Sequence, residues 1–256
     1  MGNDALIGHT GFVGGNLLHD RQFAATFNSR NIEDIRGRHF DRIVCAGVSA
    51  VKWLANREPD NDWEGIRRLI ACLEDASADH FVLISTIDVY LDSSGLTELD
   101  APATDGLHPY GLHRLRLEEF VATRFPSHSI VRLPALFGPE LKKNAIYDLI
   151  HLNQTDKIVP NAWFQWYPVR RLADDLDRVR TAGVNLVNIT SGPVMMETIS
   201  SRFFPEVPIG QPVDAPPRYD LRSVHDRLLG GERGYHLDAS AILTELADYL
   251  AEADRQ

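Results

Sequence analysis

Between residues 5 and 14 the chain passes from an apolar run, Ala5-Leu6-Ile7, through Gly8, Gly11 and Gly14 into a segment with Phe12, Val13, Leu17 and Leu18 at helical spacing. A buried strand that ends in glycine and reopens as a helix admits few folds. The G-x-x-G-x-x-G spacing meets three needs at once: a tight turn, a close backbone approach to a pyrophosphate, and tight packing of helix on sheet. Phosphates placed there meet free N–H groups at the positive end of the helix dipole. Gly8, Thr10, Gly11, Phe12, Val13 and Gly14 are therefore read as a dinucleotide-binding loop, with NAD or NADP as the cofactor.

The rest of the chain supplies the matching alternation. Strands are expected at Ala24–Asn28, Arg42–Gly47, Phe81–Ser85 and Ser129–Leu133, and helices at Trp63–Leu73 and Tyr110–Phe125. This rhythm predicts an α/β fold with a doubly wound parallel sheet, a Rossmann fold, and ligands at one edge of that sheet. After Pro139 the pattern loosens. A helix is expected around 145–152, a Trp-rich stretch lies at 163–167, a helix starts near Leu172, and a strand at 185–189 precedes a terminal helix over 239–251. The expected organisation is a dinucleotide-binding domain over 1–140, with strand and helix returns near 172–190, and a small C-terminal substrate-binding lobe over 141–256. The stretch between the second strand and Arg42 is short, so one strand–helix unit is expected to be missing.

A formal charge of −10 excludes a broad nucleic-acid or anionic-membrane surface. Cys45 and Cys72 sit in apolar and helical runs and read as core thiols, with no disulfide or metal site. No apolar run approaches the ~20 residues of a membrane span. The start of the chain carries no basic and apolar leader pattern, so a cytoplasmic protein is expected, and the sequons at Asn153 and Asn188 are taken as chance.

Later segments carry a family resemblance. Ile84-Ser85-Thr86-Ile87-Asp88-Val89-Tyr90, Pro109-Tyr110-Gly111-Leu112-His113-Arg114, Arg132-Leu133-Pro134-Ala135-Leu136-Phe137-Gly138-Pro139 and Asp174-Asp175-Leu176 follow the glycine loop in order. Together they resemble the extended short-chain dehydrogenase/reductase family, the NAD-dependent epimerase/dehydratase group acting on nucleotide sugars. The resemblance implies that Thr86 is the catalytic hydroxyl and Tyr110 the acid/base. Arg114 would stand at the position of the family lysine. Ala46 and Gly47 would pack beneath the adenine, and Pro134 would border the nicotinamide. It further implies hydride transfer between a sugar carbon and NAD(P), and a homodimer built on the helices at 63–73 and 110–125.

Two departures affect the chemistry. A tyrosine titrating near pH ~10 needs a neighbouring cation to act as a base, and Arg114 keeps that charge but exchanges no proton readily. His108 and His113 flank the site as possible relays, although hydrogen-bonded histidines are the blander reading. Asp62 falls where the family has an asparagine, and a helix N-cap is the reading favoured here. Asn28, Ser29 and Arg30, at the end of the second strand, suit a 2′-phosphate and tilt the choice toward NADP. Asp88, Lys143, Asn144 and Gln165 are substrate candidates, with Gln165, Trp166 and Tyr167 as an amphipathic wall. The function expected is an NAD(P)-dependent oxidoreductase of the epimerase/reductase type. The alternative is a catalytically degenerate NAD(P)-binding sensor or scaffold.

Overall fold

The computed structural model describes residues 2–253. In chain order the elements are β1 (Asp4–Ile7), α1 (Phe12–Asp20), β2 (Ala25–Phe27), β3 (His39–Cys45), α2 (Lys52–Arg57), α3 (Pro59–Leu73), β4 (Ser77–Thr86), α4 (Pro109–Arg124) and β5 (His128–Leu133). There follow β6 (Ala135–Phe137), α5 (Ala145–His151), β7 (Trp163–Phe164), β8 (Trp166–Pro168), α6 (Leu172–Thr181), β9 (Leu186–Asn188), β10 (Val194–Met195), α7 (Met196–Phe203) and α8 (Ala239–Ala253). The chain divides into two compact units. One holds the residues up to Leu91, Asp100–Arg132 and Leu172–Val187; the other holds Asp92–Leu99, Leu133–Arg171 and the chain from Asn188.

The first unit is built on a six-stranded sheet of order β2-β1-β3-β4-β5-β9. β1 pairs in parallel with both β2 and β3, and β3 pairs in parallel with β4. Strands covered on both faces need apolar side chains on both, and Ala5-Leu6-Ile7, Ile43-Val44-Cys45 and Phe81-Val82-Leu83 are all buried. The chain leaves β1 toward β2 and then returns to β3 on the other side, so the winding reverses at β1 and β3, where such sheets hold ligands. The expected doubly wound fold is thus present. The missing unit is also accounted for: β2 is the sheet edge, and a single 3-10 turn, Ile32–Ile35, joins it to β3.

Helix α3 buries Ile66, Leu69, Cys72 and Leu73 as one stripe. Phe81 and Phe125 stack with ring centroids 4.3 Å apart in the same core. Arg42 fixes the edge of α6 by reaching Asp4 (2.7 Å) and Asp177 (2.6 Å). Both cysteines are free and buried, as the sequence suggested. Two helices were not foreseen: α7 occupies residues 196–203, and α2 occupies residues 52–57, after which Pro59 at the first position of α3 restarts the helix at once.

The second unit carries two small sheets. β6 pairs in parallel with β8, and β7 pairs antiparallel with β10. Phe137, Ile146, Leu149, Trp166, Ile199, Ile242 and Leu246 form its core. No helix among the described residues is long and apolar enough to cross a membrane, and no group of three or more possible metal ligands occurs among them.

Candidate active site

The glycine loop has the geometry its spacing demands. Gly8 has φ +90°, and a Cβ on it would lie 2.3 Å from the Ala46 carbonyl oxygen. A Cβ on Gly14 would lie 2.1 Å from the Gly8 carbonyl oxygen. Neither position admits a side chain, so the ends of β1 and β3 and the first turn of α1 meet backbone to backbone. Gly11 is the N-cap of α1 and no side chain caps the helix. The N–H groups of Phe12, Val13 and Gly14 have no acceptor within the helix, as for any first turn. An exposed Thr10–Gly11 edge and an uncapped helix start fit a pyrophosphate.

Tyr110 begins α4 and is buried, at 7 % exposure. Its phenol is hydrogen-bonded to the Thr86 hydroxyl, and Thr86 Oγ1 also accepts from the Asp88 N–H (3.1 Å). The approach depends on Gly111: a Cβ there would stand 2.2 Å from the Asp88 carbonyl oxygen. Burial pushes the Tyr110 phenol above its usual range. Arg114 opposes this, Asp88 adds to it, and the Thr86 hydrogen bond and Lys52 pull downward without cancelling it.

Arg114 is not directed at the phenol oxygen. Its guanidinium carbon lies over the Tyr110 ring, 3.8 Å from the centroid. All four Nη hydrogens are engaged. Nη1 donates to Asp62 Oδ2 (2.7 Å) and to the Tyr110 carbonyl (3.0 Å); Nη2 donates to Asp62 Oδ1 (2.9 Å) and to the Ser49 carbonyl (2.6 Å). This two-pronged ion pair is 5 % exposed on the arginine side and 7 % on the aspartate side. Asp62 is therefore not the helix N-cap expected from the sequence. Pro59 starts α3 earlier, the cap position belongs to Glu58, and Asp62 lies within the helix. Burial raises the Asp62 carboxyl, but its hydrogen bonds from Arg114 and His113 outweigh that and hold it below the usual carboxylate range. His113 Nδ1 lies 2.8 Å from Asp62 Oδ2, and its ring packs tilted on Trp63.

Helix α2 braces the same site. Asn56 Oδ1 accepts the Tyr110 N–H (3.0 Å), and Lys52 Nζ donates to Asp88 Oδ1 (2.7 Å). His108 caps α4, its Nδ1 accepting from the Gly111 N–H (3.0 Å). Burial and the Lys52 charge lower the His108 pKa. Behind the site, buried Glu118 takes Arg132 Nη2 (2.6 Å) and the Ser85 hydroxyl, while Arg132 Nη1 donates to the Tyr90 hydroxyl (2.7 Å). That network ties α4 to β4 and β5. Asn56, Lys52 and Gly111 were not singled out from the sequence; the Tyr-Gly pair at the start of a helix was the one visible signal among them.

The remaining candidates divide. At the end of β2, Asn28 Oδ1 accepts the Arg30 N–H (2.9 Å), leaving Ser29 and Arg30 exposed on a fixed turn. Glu33, the competing acid, pairs instead with Arg36 (2.9 Å) and Arg68 (3.2 Å). A Cβ on Gly47 would stand 2.7 Å from Ile7 Cγ2, which places the end of β3 against the glycine loop. Pro134, Lys143, Asn144 and Gln165 belong to the second unit. Lys143 is exposed.

Asn144 caps α5: its Oδ1 accepts from Ile146 (3.0 Å) and Tyr147 (3.1 Å), and its Nδ2 donates to the Leu136 carbonyl (2.7 Å). Gln165 is a correction. It is 1 % exposed, and its amide is satisfied by the Ser191 and Leu221 carbonyls and the Leu221 N–H. Trp166 and Tyr167 are each 2 % exposed, so this stretch is core of the second unit and no wall for a ligand.

No family model matches the sequence, and no curated protein matches it at a significant level. Solved structures do match across nearly the whole chain. A dTDP-4-dehydrorhamnose reductase from Clostridium acetobutylicum superposes with TM-score 0.76 at 17 % identity, covering 98 % of this chain and 99 % of that one. The Bacillus anthracis dTDP-4-dehydrorhamnose reductase in complex with NADP gives 0.74 at 18 % identity, with 98 % and 100 % coverage. MoeE5 in complex with UDP-glucose and NAD gives 0.68 at 16 % identity, with 98 % and 99 % coverage. The chain thus has the fold of the extended short-chain dehydrogenases/reductases, the group that its motifs resemble.

Proposed function

We propose that this protein is an NAD(P)-dependent oxidoreductase of the epimerase/reductase type, acting on a nucleotide sugar. The observation that carries the reading is the Thr86–Tyr110 hydroxyl pair. It is tied through Arg114 and Ser49 to the end of β3, against which the glycine loop packs. Gly8, Gly11, Phe12, Val13 and Gly14 would hold the cofactor pyrophosphate, and Ala46 and Gly47 would lie on its adenine side. A bound nicotinamide dinucleotide supplies hydride exchange with a sugar carbon. The protein's own share is proton transfer: Tyr110 gives or takes the proton of the sugar oxygen, and the Thr86 hydroxyl holds that oxygen in place. Burial raises the Tyr110 phenol further, which favours its protonated form and its use as the acid in ketone reduction. Ser29 and Arg30 favour NADP, because a guanidinium beside a hydroxyl suits a 2′-phosphate. Asp88 is retained as a substrate contact.

Nicotinamide absorbance, followed with a panel of UDP- and dTDP-linked hexoses and 4-keto sugars, tests the reading. Tyr110→Phe is expected to lower kcat by roughly 10²–10⁴ while leaving cofactor binding intact. Normal turnover in that variant would remove Tyr110 from the chemistry. The engaged Nη hydrogens of Arg114 favour the second reading, a cofactor-binding scaffold without turnover. Cofactor binding with no reaction of any panel member would favour it further. A homodimer through α3 and α4 completes the proposal, and a monomeric mass by light scattering at micromolar concentration counts against it.

A further inference from the structure

We propose that Lys52, presented by α2 and bridged to Asp88, is a second positioning cation for Tyr110, beside the firmly held Arg114. The inference rests on the reading of Tyr110 as the site's acid/base. Its geometry is local. Lys52 and Asn56 are four residues apart and share one face of α2. Asn56 holds the backbone N–H of Tyr110 itself (3.0 Å), so that face is turned to the start of α4. Lys52 then reaches Asp88 (2.7 Å), two residues beyond Thr86, whose hydroxyl meets the Tyr110 phenol. Asp88 also lies under the α4 turn, its carbonyl against Gly111.

The two cations differ in how firmly they are held. Arg114 lies flat on the ring and encloses its charge with Asp62. Lys52 and Asp88 are 37 % and 19 % exposed, so this pair links the site to water and can re-form as charge develops on the phenol. The charged and titratable groups facing Tyr110 are Arg114 on its own helix, backed by Asp62 and His113, with Asp88 beyond β4, Lys52 on α2, and His108 at the α4 cap. Lys52 also contributes to the field at both Tyr110 and His108.

The test reads the phenol directly. Protein carrying 3,5-difluorotyrosine, whose phenol titrates nearer neutrality, is followed by fluorine NMR, with the Tyr110 signal assigned by its loss in Tyr110→Phe. Lys52→Met removes the cation and unmasks Asp88, and is expected to raise the Tyr110 pKa by about one pH unit or more. Lys52→Arg should restore most of the shift, and the Lys52→Met/Asp88→Asn pair should return the value toward wild type. An unchanged Tyr110 titration in Lys52→Met overturns the proposal, as does an equal shift in Lys52→Arg. Because the titration needs no turnover, the two readings fail separately. A protein that reduces no nucleotide sugar yet shows the Lys52 shift loses the proposed activity and keeps this inference. One that turns over through Tyr110 without the shift does the reverse.

Discussion

Arg114→Lys separates charge from shape at the centre of the site. The substitution keeps a cation on α4 but replaces a planar fork with a point charge on a shorter reach. Arg114 makes four N–H bonds of 2.6–3.0 Å, two to Asp62 and one each to the Ser49 and Tyr110 carbonyls. An ammonium at one point cannot span both carboxylate oxygens and both carbonyls, so at least two bonds are lost. Hydrogen bonds to charged groups contribute about 1.5–3 kcal/mol each, and partial relaxation brings the expected loss to roughly 3 kcal/mol. For a chain of this size that is about 6–12 °C in Tm. Calorimetry measures it, alongside turnover and cofactor affinity in the same preparation. Turnover should fall with stability, because the ring of Tyr110 loses the plane that Arg114 lays against it. Asp62→Asn leaves the Arg114 charge buried without its anion and should cost about 3–5 kcal/mol. In the double variant the two losses should be far from additive, with a coupling of at least about 1 kcal/mol. A Tm within about 1 °C of wild type in Arg114→Lys, or a gain in turnover, refutes the reasoning.

Three other outcomes follow from the same geometry. Gly14→Ala places a methyl 2.1 Å from the Gly8 carbonyl oxygen, so α1 must shift off the loop; cofactor Kd by fluorescence titration should rise by about 100-fold or more. Arg30→Ala should raise the KM for NADPH about tenfold and leave that for NADH unchanged, and equal effects on both would dismiss Arg30 as a 2′-phosphate contact. His236 is 3 % exposed, accepts the Thr190 N–H (3.2 Å), and is held by burial at a pKa of about 4. Its folded pKa lies below the unfolded value near ~6.5, so the unfolded state takes up its proton first; stability should fall by roughly 2–3 kcal/mol from pH ~6.5 down to ~4, and this slope should flatten in His236→Asn.

What the sequence disclosed depended on whether the signal was local. The glycine loop was legible because backbone clash alone dictates it: Gly8 and Gly14 are excluded from carrying side chains by atoms of the same turn and the adjacent strand end. The strands were legible because burial on both faces leaves continuous apolar runs. The Asn144 cap was legible too, since an asparagine before an apolar helical pattern is the usual N-cap signal, although the residue was grouped with Lys143 as a substrate candidate. Gln165 shows the converse: its amide is consumed by backbone groups 26 and 56 residues away, which no spacing rule can find. Lys52 was hidden because α2 is six residues long and ends at a proline, too short for a periodic pattern to declare itself.

Arg114 and Asp62 act as one unit in the site. An arginine at this buried position needs an anion, because an unpaired charge there carries a large desolvation penalty. A neutral amide at position 62 could not balance it, whereas a carboxylate matches both prongs of the fork. Asp62 does so from a helix 52 residues away in sequence. Once paired, the guanidinium orients the Tyr110 ring and pins the Ser49 turn. If Tyr110 is the acid/base proposed above, the partly exposed Lys52–Asp88 pair, which stands where Asn56 brings α2 against Tyr110, is placed to answer the charge on its phenol. The coupling can be checked without any substrate: if Asp62→Asn leaves Arg114 unpaired, the guanidinium should turn toward solvent, and the Tyr110 ring should broaden in the fluorine spectrum while the Lys52-dependent shift persists.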